Sequence, residues 1–169
     1  TGQYNIAIGD RSQEANTDGE QNVSLGRLTL YKNNGDWNTA IGMHALKENT
    51  SGISNTALGS SALSLNTTAS KNTAVGSQAM MYNTIGTGNT ALGYMSLEKN
   101  TEGNYNTASG TWSLFKNTTG NRNIAIGYQA YDAADTEDDN LAIGYDALGG
   151  AIAGGEKNVA IGNYSLDAN

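Results

Sequence analysis

The chain has 169 residues, among them 22 Gly, one His and neither Pro nor Cys, and its 16 acidic against 9 basic residues give a formal net charge of −7. The length fits one domain, a content of 37% hydrophobic and 15% charged residues separates the chain from charge-rich disordered sequences, and no stretch approaches the roughly 20 apolar residues of a membrane-spanning helix. The absence of Cys excludes disulfides, thiolate metal sites and a Cys nucleophile, while the acidic balance argues against nucleic acid, whose binding relies on Lys and Arg to neutralise phosphates.

In chain order, one five-residue motif recurs ten times: NIAIG at 5–9, NVSLG at 22–26, NTAIG at 38–42, NTALG at 55–59, NTAVG at 72–76, NTALG at 89–93, NTASG at 106–110, NIAIG at 123–127, NLAIG at 140–144 and NVAIG at 158–162. The steps are 16 to 18 residues, almost all of them 17. A unit of that length is too short for a helix pair or a propeller blade, so each repeat is expected to form one coil of a parallel β-solenoid. The fold class predicted is all-β, with ten coils of about 17 residues over 1–169 and strands about 4.8 Å apart, giving a rod about 45 Å long. The opening TGQYNIAIG has no basic region leading into an apolar one, so it does not read as a secretion signal. The chain starts within one copy and stops near the next boundary, as expected of a fragment of a longer fibrous protein.

Within the motif, the second position (Ile6, Val23, Thr39, Thr56, Thr73, Thr90, Thr107, Ile124, Leu141, Val159) and the fourth (Ile8, Leu25, Ile41, Leu58, Val75, Leu92, Ser109, Ile126, Ile143, Ile161) alternate with a third that is Ala except at Ser24. This is the period of a strand, and it predicts that the bulkier second and fourth positions point inward. The third position would then point outward, and a solvent-facing site has no reason to be Ala nine times. Ala7, Ala40, Ala57, Ala74, Ala91, Ala108, Ala125, Ala142 and Ala160 are therefore expected to pack against another chain. The closing Gly marks a corner. A second short strand is expected after it, with a small residue three places beyond the Gly (as Ala45 and Ala62) and an apolar one at the fourth (as Leu46 and Leu63). The Asn opening each motif, and a second Asn column from Asn16 through Asn117, are expected to stack into amide ladders along the rod.

Departures from the repeat are where chemistry would reside. His44 is alone, which leaves no triad, metal cluster or His base, and a uniform rod offers no cleft across which two carboxylates could act; no enzymatic activity, cofactor or metal ion is expected. The eighth copy carries an acidic loop at Asp132, Asp135, Thr136, Glu137, Asp138 and Asp139 that lacks the EF-hand pattern. The ninth carries a Gly-rich run from Gly149 to Gly155, expected to be a protruding turn because it lacks the ending of a phosphate loop. Aromatic residues gather toward the C-terminal half at Tyr94, Trp112, Phe115, Tyr128, Tyr145 and Tyr164, with Tyr94, Tyr128 and Tyr145 in one register. They are candidate receptor-binding residues, offering a platform for sugars or a protein, against the plainer alternative of packing between coils.

The NTAIG unit resembles the SVAIG-type head repeats of trimeric autotransporter adhesins of the YadA kind, and repeats in bacteriophage tail fibres. The resemblance runs residue by residue through 38–42 and its nine equivalents and covers the whole chain, with an NTxG insert lengthening the coil. It implies a left-handed parallel β-roll, a homotrimer about a common axis with the Ala file as trimer interface, an extracellular place at a bacterial surface or on a virion, and an attachment role toward a cell-surface receptor or glycan, without membrane insertion. Two alternatives remain at this level: a pure fibre spacer, and an ice-binding solenoid using the Thr files at Thr39 to Thr107 and at Thr50 to Thr118. The first of those files is expected to face inward, because Ile6, Val23, Ile124, Leu141 and Val159 replace it elsewhere.

Overall fold

A computed structural model describes residues 2–133, 135–150 and 155–167. Ten three-residue strands, β1 (Ile6–Ile8), β2 (Val23–Leu25), β3 (Thr39–Ile41), β4 (Thr56–Leu58), β5 (Thr73–Val75), β6 (Thr90–Leu92), β7 (Thr107–Ser109), β8 (Ile124–Ile126), β9 (Leu141–Ile143) and β10 (Val159–Ile161), form one parallel sheet in sequence order, with no helix among the described residues. Each strand pairs with the equivalent positions of the next motif, as Thr39 with Thr56 and Ala40 with Ala57. The protein is a β-solenoid of about nine turns, and each strand is the middle of one NTAIG motif.

The direction of the side chains is the reverse of the expectation. Ala40, Ala57, Ala74, Ala91, Ala108, Ala125, Ala142 and Ala160 are at most 2% exposed, closed inside the coils of their own chain. Only Ala7, on the first coil, is exposed. The Ala file is therefore not a surface for another chain, and the trimer interface assigned to it is withdrawn. The second and fourth positions point outward instead: Leu58 and Leu92 are 37% and 41% exposed, and Thr39 to Thr107 are half-buried on the same outer face. The reason lies across the coil. Leu30, Leu46, Leu63, Met80, Leu97, Leu114, Tyr131 and Leu148 fill the interior at 0–1% exposure in one cluster with the Ala file. A narrow coil packed to ordinary density accepts large side chains from one wall only if the other contributes small ones.

The segment after each Gly is a run of turns, not a second strand. Two residues in it, as His44 (φ 64°) and Leu46 (φ 49°), take left-handed backbone. Alternate amides thereby turn toward opposite neighbours: His44 N–H donates to Arg27 O at 3.0 Å and Leu46 N–H to Ala62 O at 3.0 Å, while Ala45 N–H between them donates to Gly42 O of its own coil. The same pattern recurs along the rod, as in Gln78 to Ser60 O and Met80 to Ser96 O. Hydrogen bonds between coils thus continue around the turn without strand dihedrals.

Both Asn ladders form. The Asn72 Oδ1 accepts the Asn89 backbone N–H at 2.8 Å and its Nδ2 donates to Gly86 O at 2.8 Å, a pattern repeated from Asn5 to Asn158. In the second column, Nδ2 of Asn66, Asn83, Asn100 and Asn117 donates to the Oδ1 one coil earlier at 2.7–2.9 Å. Asn117 is the last Asn of this file, with Ala at 134, and its buried Oδ1 has no partner among the described residues. In that eighth coil Tyr131 replaces the usual Leu, and its hydroxyl accepts Asn140 Nδ2 at 2.7 Å.

Candidate functional site

Two outer surfaces follow from this architecture. The first is the sheet face. Ile8, Leu25, Leu58, Val75, Leu92, Ile126 and Ile161 are exposed along it, with Thr39 to Thr107 as a parallel file. At strand spacing, ten three-residue strands span on the order of 400 Å², the size of the largest apolar patch on a typical monomer and often a functional one. Nothing among the described residues covers it, because their core is made by the other side of the sheet.

The second surface lies beyond the Gly corner. Tyr94, Trp112, Tyr128, Tyr145 and Tyr164 form one continuous column, with successive ring centroids 6.4, 5.6, 5.3 and 5.1 Å apart and the Tyr128–Tyr145 pair stacked. Trp112 and Tyr164 sit one residue later in their repeats than the other three, and their rings nonetheless join the column. Packing between coils and exposure coexist here, since Tyr94, Tyr128 and Tyr145 each remain about two-fifths exposed. Phe115 stands apart from the column, across the turn, with the Lys99 ammonium 5.8 Å from its ring.

Two hollows adjoin at Lys116, one of them lined by Phe115. One of about 390 Å³ is lined by Met95, Trp112, Phe115, Lys116, Gln129 and Asp132. The Trp112 indole N–H points to Met95 Sδ at 3.4 Å, which fixes the ring on its wall. Burial raises the Asp132 carboxyl above the ordinary range, opposed by Lys116 and reinforced by Asp146. The other hollow, of about 500 Å³, has Tyr82, Lys99, Lys116, Thr101, Thr118 and Asp135 on its walls, and Lys99 lies 4.5 Å from the Tyr82 ring. Met95, Lys116 and Gln129 were not singled out from the sequence. The available signal was the 17-residue spacing of Tyr82, Lys99 and Lys116, and of Met95, Trp112 and Gln129.

The remaining candidates are spent on structure. Arg122 pairs with Asp138 and with Asp139, whose carboxyl it holds below the usual carboxylate range, and the described residues contain no group of three or more His, Cys, Asp or Glu placed to hold a metal ion. Thr50, Thr67, Thr84 and Thr101 each donate their hydroxyl to a carbonyl of the next coil at 3.0–3.2 Å. Positions 151–154 of the Gly-rich run lie outside the described residues. Compared with family models, curated proteins and solved structures, the chain matches none.

Proposed function

We infer that the chain is a structural and attachment segment of a trimeric fibre, a bacterial surface adhesin or a virus tail fibre, that binds or displays binding to a host-cell receptor. The observation that carries this reading is the uncovered sheet face. An apolar file repeated at strand spacing is complementary to further copies of itself, and three such faces about one axis would bury it. The repeat's resemblance to adhesin heads supports the same assembly, with the axis at the second and fourth motif positions rather than at Ala. Such a fibre acts outside the cell or on the virion. The aromatic column and its hollows lie around the corner from that face and stay open to a receptor.

The test is the absolute mass by light scattering coupled to size exclusion. Three times 17.6 kDa is expected, and a clean monomer overturns the assembly. One observation favours a second reading: Thr39, Thr56, Thr73, Thr90 and Thr107 lie outward on a regular sheet, as an ice-binding face requires. A monomer that produces thermal hysteresis would establish it in place of the fibre.

A further inference from the structure

We propose that the hollow lined by Met95, Trp112, Phe115, Lys116, Gln129 and Asp132 binds one residue of a neutral, hydroxyl-rich sugar, a hexopyranose, making it the receptor-contacting point of the attachment segment. The proposal rests on the attachment reading for its biological setting, but not for its chemistry.

The hollow sits where the eighth copy begins to depart from the repeat. Phe115 is the chain's only Phe, Trp112 is one of two Trp, and Asp132 opens the acidic departure of the eighth copy. Departures of this kind in a solenoid leave the stack intact and collect on binding faces. The volume of about 390 Å³ falls within the range of small-ligand sites.

The lining selects the ligand class. A pyranose presents an apolar C–H face and a rim of adjacent hydroxyls, which calls for an aromatic plate beside charged and amide hydrogen-bonding groups. Trp112 and Phe115 supply the plate, and the indole is held by Met95 and by the rings of Tyr94 and Tyr128. Asp132 supplies a carboxylate that accepts from two hydroxyls at once, the stronger kind of hydrogen bond. Gln129 both donates and accepts, and Lys116 donates. Charge then narrows the class. Lys116 and Lys99 are balanced by Asp132 and Asp135 across the two adjoining hollows, so neither a polyanionic sugar nor a cationic peptide is favoured.

Asp132 also separates binding from folding. Its carboxyl lies above the ordinary range because burial disfavours the charge, with Lys116 and Gln129 acting against the shift and Asp146 with it. A raised carboxyl weakens folding as pH climbs from the unfolded value through the folded one. Asp132→Asn removes that penalty at neutral pH, so a residue present only for structure and one present for a ligand give opposite results.

The experiment uses Trp37→Phe, which leaves Trp112 as the sole indole and its fluorescence as the readout. The protein is titrated with the methyl pyranosides of glucose, galactose, mannose and N-acetylglucosamine. A saturable change with a dissociation constant on the order of 1 mM is expected from at least one of them. Adding Asp132→Asn should weaken it roughly tenfold or more while the melting temperature at pH 7 does not fall. No saturable change with any of the four, or an unchanged response in the Asp132→Asn protein, overturns the proposal. A trimer that binds no pyranoside sinks the hollow and leaves the fibre standing; a monomer that binds one does the reverse.

Discussion

Gly76 has two separate reasons to lack a side chain. Its φ of 139° lies where L side chains are strained, and an added Cβ would come 2.3 Å from Gly93 O and 2.6 Å from its carbonyl carbon. The neighbouring coil repeats the same corner, so neither side can yield. The other glycine file, Gly35, Gly52, Gly86, Gly103 and Gly120, is also crowded by the next coil's carbonyl, but it lacks the positive φ, and Ala69 and Glu137 occupy the same register. Gly76→Ala is expected to cost about 3 kcal/mol or more and Gly52→Ala less, because Ala69 already holds a Cβ in that register, as measured by denaturant unfolding. Equal costs would mean that crowding alone, and not backbone dihedral, sets the corner. All ten corner glycines were legible in the sequence. The left-handed Leu46, Leu63 and their equivalents were not, because nothing in a Leu signals positive φ; their backbone is imposed by amides that must reach opposite neighbours.

The coil is held as much by amides as by apolar contact. Asn72 shows the arithmetic: removing its side chain leaves the Asn89 N–H without its acceptor inside the stack and takes one donor from Gly86 O. A buried donor left unsatisfied costs about 1–3 kcal/mol, so Asn72→Ala is expected to lose about 3 kcal/mol once the vacated volume is included. Because each coil touches only its neighbours, the loss should concentrate around 56–108, read as faster amide hydrogen exchange there than at 22–41. Uniform loss along the rod would contradict nearest-neighbour coupling. The ladders could be read directly from ten Asn at one register, since a buried amide repeated at a fixed interval satisfies itself. The eighth coil could not: Tyr131 stands at the Leu position and its hydroxyl accepts from Asn140, while the Asn117 Oδ1 at the end of its file keeps no partner among the described residues.

For the whole molecule, the apolar face and the apolar core belong to different residues, and so the proposed assembly can be tested apart from folding. Leu58 and Leu92 lie outside the coil. Replacing both by Lys is expected to convert the proposed trimer to a 17.6 kDa monomer with an unchanged circular dichroism spectrum. A variant that stays trimeric would move the interface off the sheet face. Replacing Ala57 and Ala91 by Leu should do the opposite: overpacking an interior file costs about 1–3 kcal/mol for each site and lowers the melting temperature. A stable, unchanged protein would put the Ala file back on the surface.

The sequence by itself determined the period, the ten strands, their parallel order and the two Asn ladders, because each is a statement about which residues share a register. Which face is inside was decided only in three dimensions. A period of two sorts residues onto opposite faces but is silent on which of them is buried. That choice was made by the turns, which send Leu46 and its equivalents into the coil, and a cavity already holding Leu from one wall has room only for Ala from the other. The hollow at Trp112 was decided there as well, since it joins residues of three successive coils that the chain keeps 17 residues apart.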